Sequence, residues 1–179
     1  IEELKDHIDF NMIVNTMFHE KGHVTDWMSM PNLYLAAENM DDYKAMVTSV
    51  FWLEFLAEKR SSIEGLVNHS DYCGEFAGRK WEAYKFDMEN ATESNFYYLN
   101  KALSYFMART TKRTERDLYI DYMINPLLKN YIIDIGEELI NLEYQIPFDE
   151  ISILDDLYDI MNMYYKKFKA KFTPKPRRV

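Results

Sequence analysis

Two histidines and a glutamate near the start of the chain have the types and spacing of a metal site. The segment HEKGH places His19 and His23 four residues apart, with Glu20 directly after the first histidine. On an α-helix, positions four apart lie on one face, so both imidazoles can bind one metal ion, and the glutamate can reach a water molecule beside that ion. Zinc is the metal that this pattern favours, and a zinc ion needs a third protein ligand from elsewhere in the chain.

Gly22 leaves a second interpretation of the same segment open. Glycine costs about 1 kcal/mol relative to alanine inside a helix and is common just past a helix C-terminus. If Gly22 is such a cap, His19 is a surface residue and His23 lies beyond the helix. The alternative to a zinc site is therefore an ordinary helix end.

A second segment, FWLEFLAEKRSS, places a carboxylate in an apolar setting. Glu54 has aromatic and aliphatic neighbours on both sides, where an unpaired charge is expensive to bury, and a metal ion would neutralise it. Glu58 lies one turn later and could accept a hydrogen bond from a ligand histidine. Gly22 would then allow the two helices to approach closely.

The alternative for this second segment is an ordinary amphipathic helix. In that case Glu54 and Glu58 face water and form ion pairs with Arg60 or Lys59. The spacing of the residues does not by itself decide between the two interpretations.

Together, the two segments resemble the gluzincin-type zinc metallopeptidases, in which HExxH is followed by a glutamate ligand on a second helix a few tens of residues later. HEKGH and WLEFLAE show that pattern, with Glu54 thirty-one positions after His23. The resemblance covers residues 9–62. It implies zinc bound by His19, His23 and Glu54, with Glu20 as general base and Glu58 as an orienting residue.

The resemblance also implies a reaction, the hydrolysis of a peptide bond in a protein or peptide substrate by a metal-activated water. Glu20 would take a proton from the water and pass it to the leaving amine. Asp26 is expected either to orient His23 or to cap the helix. A donor for the oxyanion would be needed as well, and the sequence offers three candidates: His69, Tyr72 and Tyr84.

Helical periodicity dominates the rest of the chain. Apolar residues recur at spacings of three and four, and strand-like alternation is scarce. We expect a mainly α fold, a compact multi-helix single domain over residues 1–172 with the HExxH motif on the first helix and little or no β-sheet. The metal-site helices fall within 9–62 and a helical remainder within 63–172, and a basic tail follows at 173–179.

Capping residues and prolines predict the helix boundaries. A break is expected at Ser61-Ser62, and Pro126 is expected to kink or end a long helical segment. The predicted starts of other helices are at Asp9, at Pro31, at the Asp41-Asp42 pair and, for the last helix, at Asp149.

Charge and composition argue against several classes of protein. The net charge is −9, and residues 1–165 carry −16 because all 30 acidic residues but only 14 of the 21 basic residues lie there. Such an acidic body repels nucleic acids. No uncharged apolar run approaches the roughly 20 residues needed to cross a membrane. With Cys73 as the single cysteine, we expect a soluble protein of the reducing cytoplasm.

Two further features have less specific interpretations. The segment DDLYD has the form of a magnesium and diphosphate motif, but an exposed acidic face is favoured for so short a pattern.

The 11 methionines, 14 tyrosines and 11 phenylalanines suit a helical core. They also suit the alternative to a peptidase, a non-enzymatic all-α regulatory or protein-interaction module with an aromatic- and Met-rich ligand pocket. The sequence does not specify an oligomeric state.

Overall fold

The computed structural model describes residues 10–64, 69–79, 93–110 and 113–172, and these residues form eight α-helices and no strand. A short 3₁₀ turn, Ile151–Leu154, precedes the last helix. The expected mainly α single domain is confirmed, and the HEKGH segment lies on the first described helix. The helices are α1 Phe10–Ser29, α2 Pro31–Glu38, α3 Tyr43–Glu64, α4 Ser70–Gly78, α5 Glu93–Arg109, α6 Arg113–Tyr122, α7 Pro126–Glu143 and α8 Asp155–Phe172.

Helix α3 occupies the centre of the fold and packs against α1, α2 and α5. A helix with neighbours on several sides must be apolar on several sides. Its buried side chains accordingly lie all around the axis: Val47, Phe51, Trp52, Leu53, Phe55 and Leu56. Glu54 and Glu58 are therefore placed on a helix that is largely enclosed by its neighbours.

Helices α5, α7 and α8 complete the core with aromatic and aliphatic side chains. The Tyr131 ring of α7 stacks on Tyr164 of α8 with 4.7 Å between ring centroids. Apolar residues at spacings of three and four are buried, as the periodicity predicts: Phe96, Leu99, Leu103 and Phe106 on α5, Leu154 in the 3₁₀ turn, and Leu157, Met161 and Phe168 on α8. This apolar core fixes α5 beside α3.

The predicted break at Ser61-Ser62 is wrong, because α3 continues through both serines to Glu64. The Ser61 hydroxyl donates a hydrogen bond to the carbonyl oxygen of Glu58 at 3.0 Å, which satisfies the serine inside the helix. Pro126 does end a helical segment. The side chain of Asn125 accepts hydrogen bonds from two amides of the following turn and caps α7, so that α6 and α7 are separate helices.

Asp149 has a different role from the one predicted, because it caps α2 rather than the last helix. Its Oδ1 accepts hydrogen bonds from the amides of Asn32 at 2.8 Å and Leu33 at 3.2 Å. Pro31 opens α2 as expected. The carboxylate satisfies donors that have no partner inside the helix, and it ties the segment between α7 and α8 to α2.

Other predictions have mixed outcomes. Asp42 accepts a hydrogen bond from the Ala45 amide at 3.0 Å at the start of α3, as expected, whereas Asp9 lies outside the described residues. The aspartates of DDLYD are exposed, as predicted, and Cys73 is buried. None of the described helices is both long enough and apolar enough to cross a membrane.

Candidate metal centre

Close contact between α1 and α3 brings the two predicted segments together. Gly22 is buried in the middle of α1, so the interpretation of Gly22 as a helix end is wrong. A Cβ atom at this position would lie 3.0 Å from Cα and 3.2 Å from Cβ of Ala57. The glycine thus allows the backbones to approach, and the side chains one turn away on either helix meet across the contact.

His19, His23 and Glu54 converge at this contact. The Nε2 atoms of the two histidines lie 3.0 Å apart, and Oε2 of Glu54 lies 3.3 Å from Nε2 of His19 and 3.7 Å from Nε2 of His23. The side chains are 12%, 22% and 12% exposed, respectively. Three potential ligand atoms therefore meet in a site that is mostly shielded from water.

Hydrogen bonds on the far side of each ring determine which nitrogen atoms face inward. Nδ1 of His19 lies 3.0 Å from Oε2 of Glu58, and an ionised carboxylate can only accept, so this nitrogen carries a proton. Nδ1 of His23 lies 2.8 Å from the hydroxyl oxygen of Tyr34. That hydroxyl donates to the carbonyl oxygen of His23 at 2.9 Å, so it accepts from Nδ1. In the neutral rings, both Nε2 lone pairs point towards each other and towards Glu54.

The spacing of these atoms matches a tetrahedral metal ion. Ligand atoms that lie 2.0–2.1 Å from a tetrahedral zinc ion are separated from one another by about 3.3–3.4 Å. The three observed separations of 3.0, 3.3 and 3.7 Å lie around that value. Two neutral imidazoles and one carboxylate are also a donor set that zinc prefers, and three protein ligands leave a fourth position for water or substrate. The residues therefore fit a zinc ion.

Glu58 is held in place by a second charged residue. Its side chain is 4% exposed, and its Oε1 accepts a hydrogen bond from Nε of Arg109 at 2.6 Å. Burial would raise the pKa of Glu58, but the hydrogen bond with His19 and the Arg109 charge outweigh burial and lower it. The carboxylate stays ionised, and it fixes the ring of His19 in the manner expected for a residue behind a metal ligand.

Glu54 has two further partners, both on α5. Lys101 Nζ lies 2.7 Å from Oε1, and the Tyr105 hydroxyl donates to Oε2 at 2.7 Å. Burial would raise the pKa of Glu54, but its hydrogen bonds with His19, His23, Lys101 and Tyr105 hold it well below the usual range. The Glu54 carboxylate is therefore an anion whose Oε1 is already paired with Lys101.

A proton offers a second way to satisfy the same atoms. Burial lowers the pKa of His19, but hydrogen bonds with Glu54 and Glu58 outweigh it and raise the pKa to about 9. At neutral pH and without a metal ion, His19 would thus be an imidazolium between two carboxylates. The alternative to a metal centre is therefore a buried ion network, which at best roughly offsets its own desolvation cost.

Several residues around the predicted ligands have other hydrogen-bond and ion-pair partners than the sequence predicted. Asp26 is buried and accepts a hydrogen bond from Arg60 at 2.6 Å, and Tyr34, which the sequence analysis did not select, orients His23. Lys59 forms its ion pair with Glu143 of α7. The expectation that Glu54 and Glu58 face water and pair with Lys59 or Arg60 is therefore wrong.

Glu20, the predicted general base, follows His19 on α1, and its side chain is exposed. Among the predicted oxyanion donors, the Tyr72 hydroxyl donates to the carbonyl oxygen of Ala102 at 2.9 Å and is already engaged. Nε2 of His69 is buried and has no hydrogen-bond partner among the described residues. Tyr84 lies outside the described residues.

Sequence reasoning missed the contribution of α5 to the site. Lys101, Tyr105 and Arg109 follow one another at intervals of four residues, which places them on one face of the helix, and that face meets Glu54 and Glu58. The spacing of four was visible in the sequence. It places these three polar residues on a face of α5 next to the buried apolar residues of the same helix. What the sequence did not show is which helix that face would contact.

Comparisons with known proteins add nothing to this geometry. No family model matches the chain, and no curated protein and no solved structure matches it either. The chemistry of the centre is therefore argued from its own residues.

Proposed function

We propose that this protein is a zinc-dependent hydrolase of the metallopeptidase type, with His19, His23 and Glu54 as zinc ligands and Glu20 as general base. The observation that supports it most is the convergence of two Nε2 lone pairs and one carboxylate oxygen within 3.0–3.7 Å. Three acceptors so close together in a shielded site repel one another unless a cation lies between them or one of them carries a proton. A divalent ion satisfies all three at once.

The residues around the centre suit a hydrolytic reaction. A zinc ion held there would lower the pKa of a water molecule and polarise a carbonyl group. Glu20 would accept the proton and return it to the leaving amine. The Tyr105 hydroxyl donates its one proton to Oε2 of Glu54, as the Tyr72 hydroxyl does to Ala102, so we assign the oxyanion donor to neither tyrosine.

A peptide bond is the substrate we propose, on the basis of the ligand pattern. The described residues contain no strand, so a peptide would be held by helices and their connections rather than by a β-edge. Zinc binding and peptide cleavage are therefore separate properties, and each needs its own measurement.

The alternative, a non-enzymatic module with an aromatic- and Met-rich ligand pocket, stays a prediction. A groove among α3, α5, α6 and α7 has a volume of about 270 Å³, and its lining includes one aromatic residue, Phe55, and one methionine, Met107. Ligand pockets usually measure about 300–1,000 Å³. This groove does not favour the alternative over the metal centre.

The proposal is tested by measuring zinc content and turnover of a mixed peptide library for the parent and three variants. Glu20→Gln leaves all three ligands in place, so zinc content should stay near one per chain while turnover falls by orders of magnitude. His23→Ala should lose zinc and turnover together. Glu137→Gln changes an exposed glutamate on α7 and should change neither.

The outcomes separate the parts of the proposal. A parent without zinc overturns the metal centre and leaves the buried ion network as the explanation of the geometry. A parent that binds zinc but cleaves no peptide overturns the peptidase assignment alone. Turnover of Glu20→Gln at the rate of the parent overturns the role of Glu20.

A further inference from the structure

Helix α1 carries a row of apolar side chains on its outer side. We call this row the outer stripe: Phe10, Ile13, Met17, Val24, Trp27 and Met28, which are between 43% and 76% exposed. At 100° per residue, these positions fall on one side of the helix. The stripe is therefore made of two apolar patches on one side of α1, one before and one after Glu20, which is exposed and falls on the same side.

The opposite side of α1, which faces the protein, is polar. Asn15, His19, Gly22, His23 and Asp26 are the residues that meet α3 and its surroundings. A surface helix ordinarily shows the reverse arrangement, with apolar residues towards the core and polar residues towards water. The outer stripe does not contribute to the core that the described residues form, so its apolar composition suggests that it packs against another surface.

The size of the outer stripe matches one side of a stable protein interface. Two of its members are aromatic, and a buried aromatic side chain removes about 150–250 Å² from water. With four aliphatic or methionine side chains added, the exposed area is on the order of 800 Å², which is one partner's share of a standard interface.

The charge of the outer stripe suits a second copy of this chain. Two molecules with a net charge of −9 repel each other over most of their surfaces. On α1 the exposed charged residues are Glu20 and Lys21. By helix geometry Glu20 falls within the stripe and Lys21 at its edge, and their opposite charges cancel. A neutral apolar face is where two acidic copies can meet with the least repulsion, and a twofold dimer needs one surface that serves both partners.

We propose that the protein forms a twofold homodimer in which the outer stripes of two α1 helices pack against each other. Glu20 lies about 60° around the axis from Met17 and about 60° from His23, by helix geometry. It therefore lies within the arc of the stripe, beside Trp27, on the side that leads to the metal centre. The dimer does not depend on the proposed hydrolase activity.

Sedimentation velocity of the full chain, over two decades of concentration in the micromolar range, tests the proposal. The parent should sediment as a dimer, and Val24→Asp should shift it to a monomer because the substitution places a charge in the interface. Leu118→Asp is the matched control: Leu118 on α6 is 62% exposed and Val24 is 60% exposed, but Leu118 lies outside the stripe. It should remain a dimer.

Met17→Asp gives a second, independent test in the stripe, and circular dichroism of each variant verifies that the helices are intact. A parent that is monomeric throughout the concentration range overturns the proposal. If the parent is monomeric and Val24→Asp also lowers its melting temperature, another segment of the same chain covers the stripe. If Leu118→Asp dissociates the dimer and the two stripe variants do not, the interface lies elsewhere and the proposal is wrong.

Discussion

The contact between α1 and α3 differs in chemistry from the contact between α7 and α8. The α7–α8 contact is made of fully buried aromatic and aliphatic side chains, such as Tyr131 and Phe168. In the α1–α3 contact, His19 meets Glu58 and Asp26 meets Arg60 around a glycine. Both contacts are close, but the first is largely apolar, with a hydrogen bond from Tyr164 to Asp134, and the second is built largely from charged and polar groups.

This difference indicates what each contact does. Apolar burial is favourable by itself, so the α7–α8 contact needs no explanation beyond folding. Buried ion pairs at best roughly offset their desolvation cost and often stabilise less than apolar residues of similar size. A contact that retains several of them, with Glu58 at 3% exposure and Asp26 at 0%, is better explained by a site than by stability.

Phe168→Ala should give the largest effect on stability, because it removes a ring with no exposed surface from the apolar contact. We expect a loss of about 3–5 kcal/mol in the free energy of unfolding, measured by urea denaturation, with zinc stoichiometry unchanged while the protein is folded. Met163→Ala changes a side chain of α8 that is 39% exposed and should cost less than about 1 kcal/mol. Loss of zinc from folded Phe168→Ala would show that the two contacts are not independent.

Glu58→Gln tests the polar contact through the ring of His19. Removing the residue that orients a ligand typically lowers metal affinity about 10- to 100-fold, and competition with a chelator would measure this. Glu143→Gln is the control, since Glu143 also forms an ion pair, with Lys59 of α3, but at 30% exposure and away from the ligands. Equal losses in both variants would mean that general charge, rather than the hydrogen bond to His19, determines affinity.

Gly22→Ala should have the smallest effect on stability, and the sign of that effect shows whether α1 and α3 must approach closely. Alanine gains about 1 kcal/mol of helix propensity, but overpacking against the backbone of Ala57 costs about 1–3 kcal/mol, so we expect a net loss of about 1 kcal/mol. Gly74→Ala in α4 has no atom within 4 Å of the added Cβ and should be neutral or stabilising. A stabilised Gly22→Ala variant, measured by thermal unfolding, would mean that the close approach of α1 and α3 is not required.

The features of this protein that the sequence predicted well are those set by local spacing. The interval of four between His19 and His23, and the carboxylate of Glu54 among apolar neighbours, resemble a known ligand pattern, and that resemblance predicted the convergence of the three residues. Helix periodicity likewise predicted the fold class and most of the buried positions, because apolar stripes are a local property of a helix.

The sequence did not show which distant partner each polar group would find. Asp26 lies near His23 along the chain but bonds Arg60, while Tyr34 takes the expected role of orienting His23. Ser61 and Ser62 look like a break, yet the enclosure of α3 by its neighbours keeps them helical. Such choices depend on how helices pack, which local spacing does not encode.

The cap on α2 has a consequence for protein design. Asp149 holds the first turn of α2, α2 carries Tyr34, and Tyr34 orients His23. A fragment limited to residues 10–64 would contain every proposed ligand, but it would lack this cap and the three side chains of α5 that secure the two carboxylates. Grafting the centre into another scaffold would therefore require parts drawn from three separate stretches of the chain, rather than a two-helix cassette.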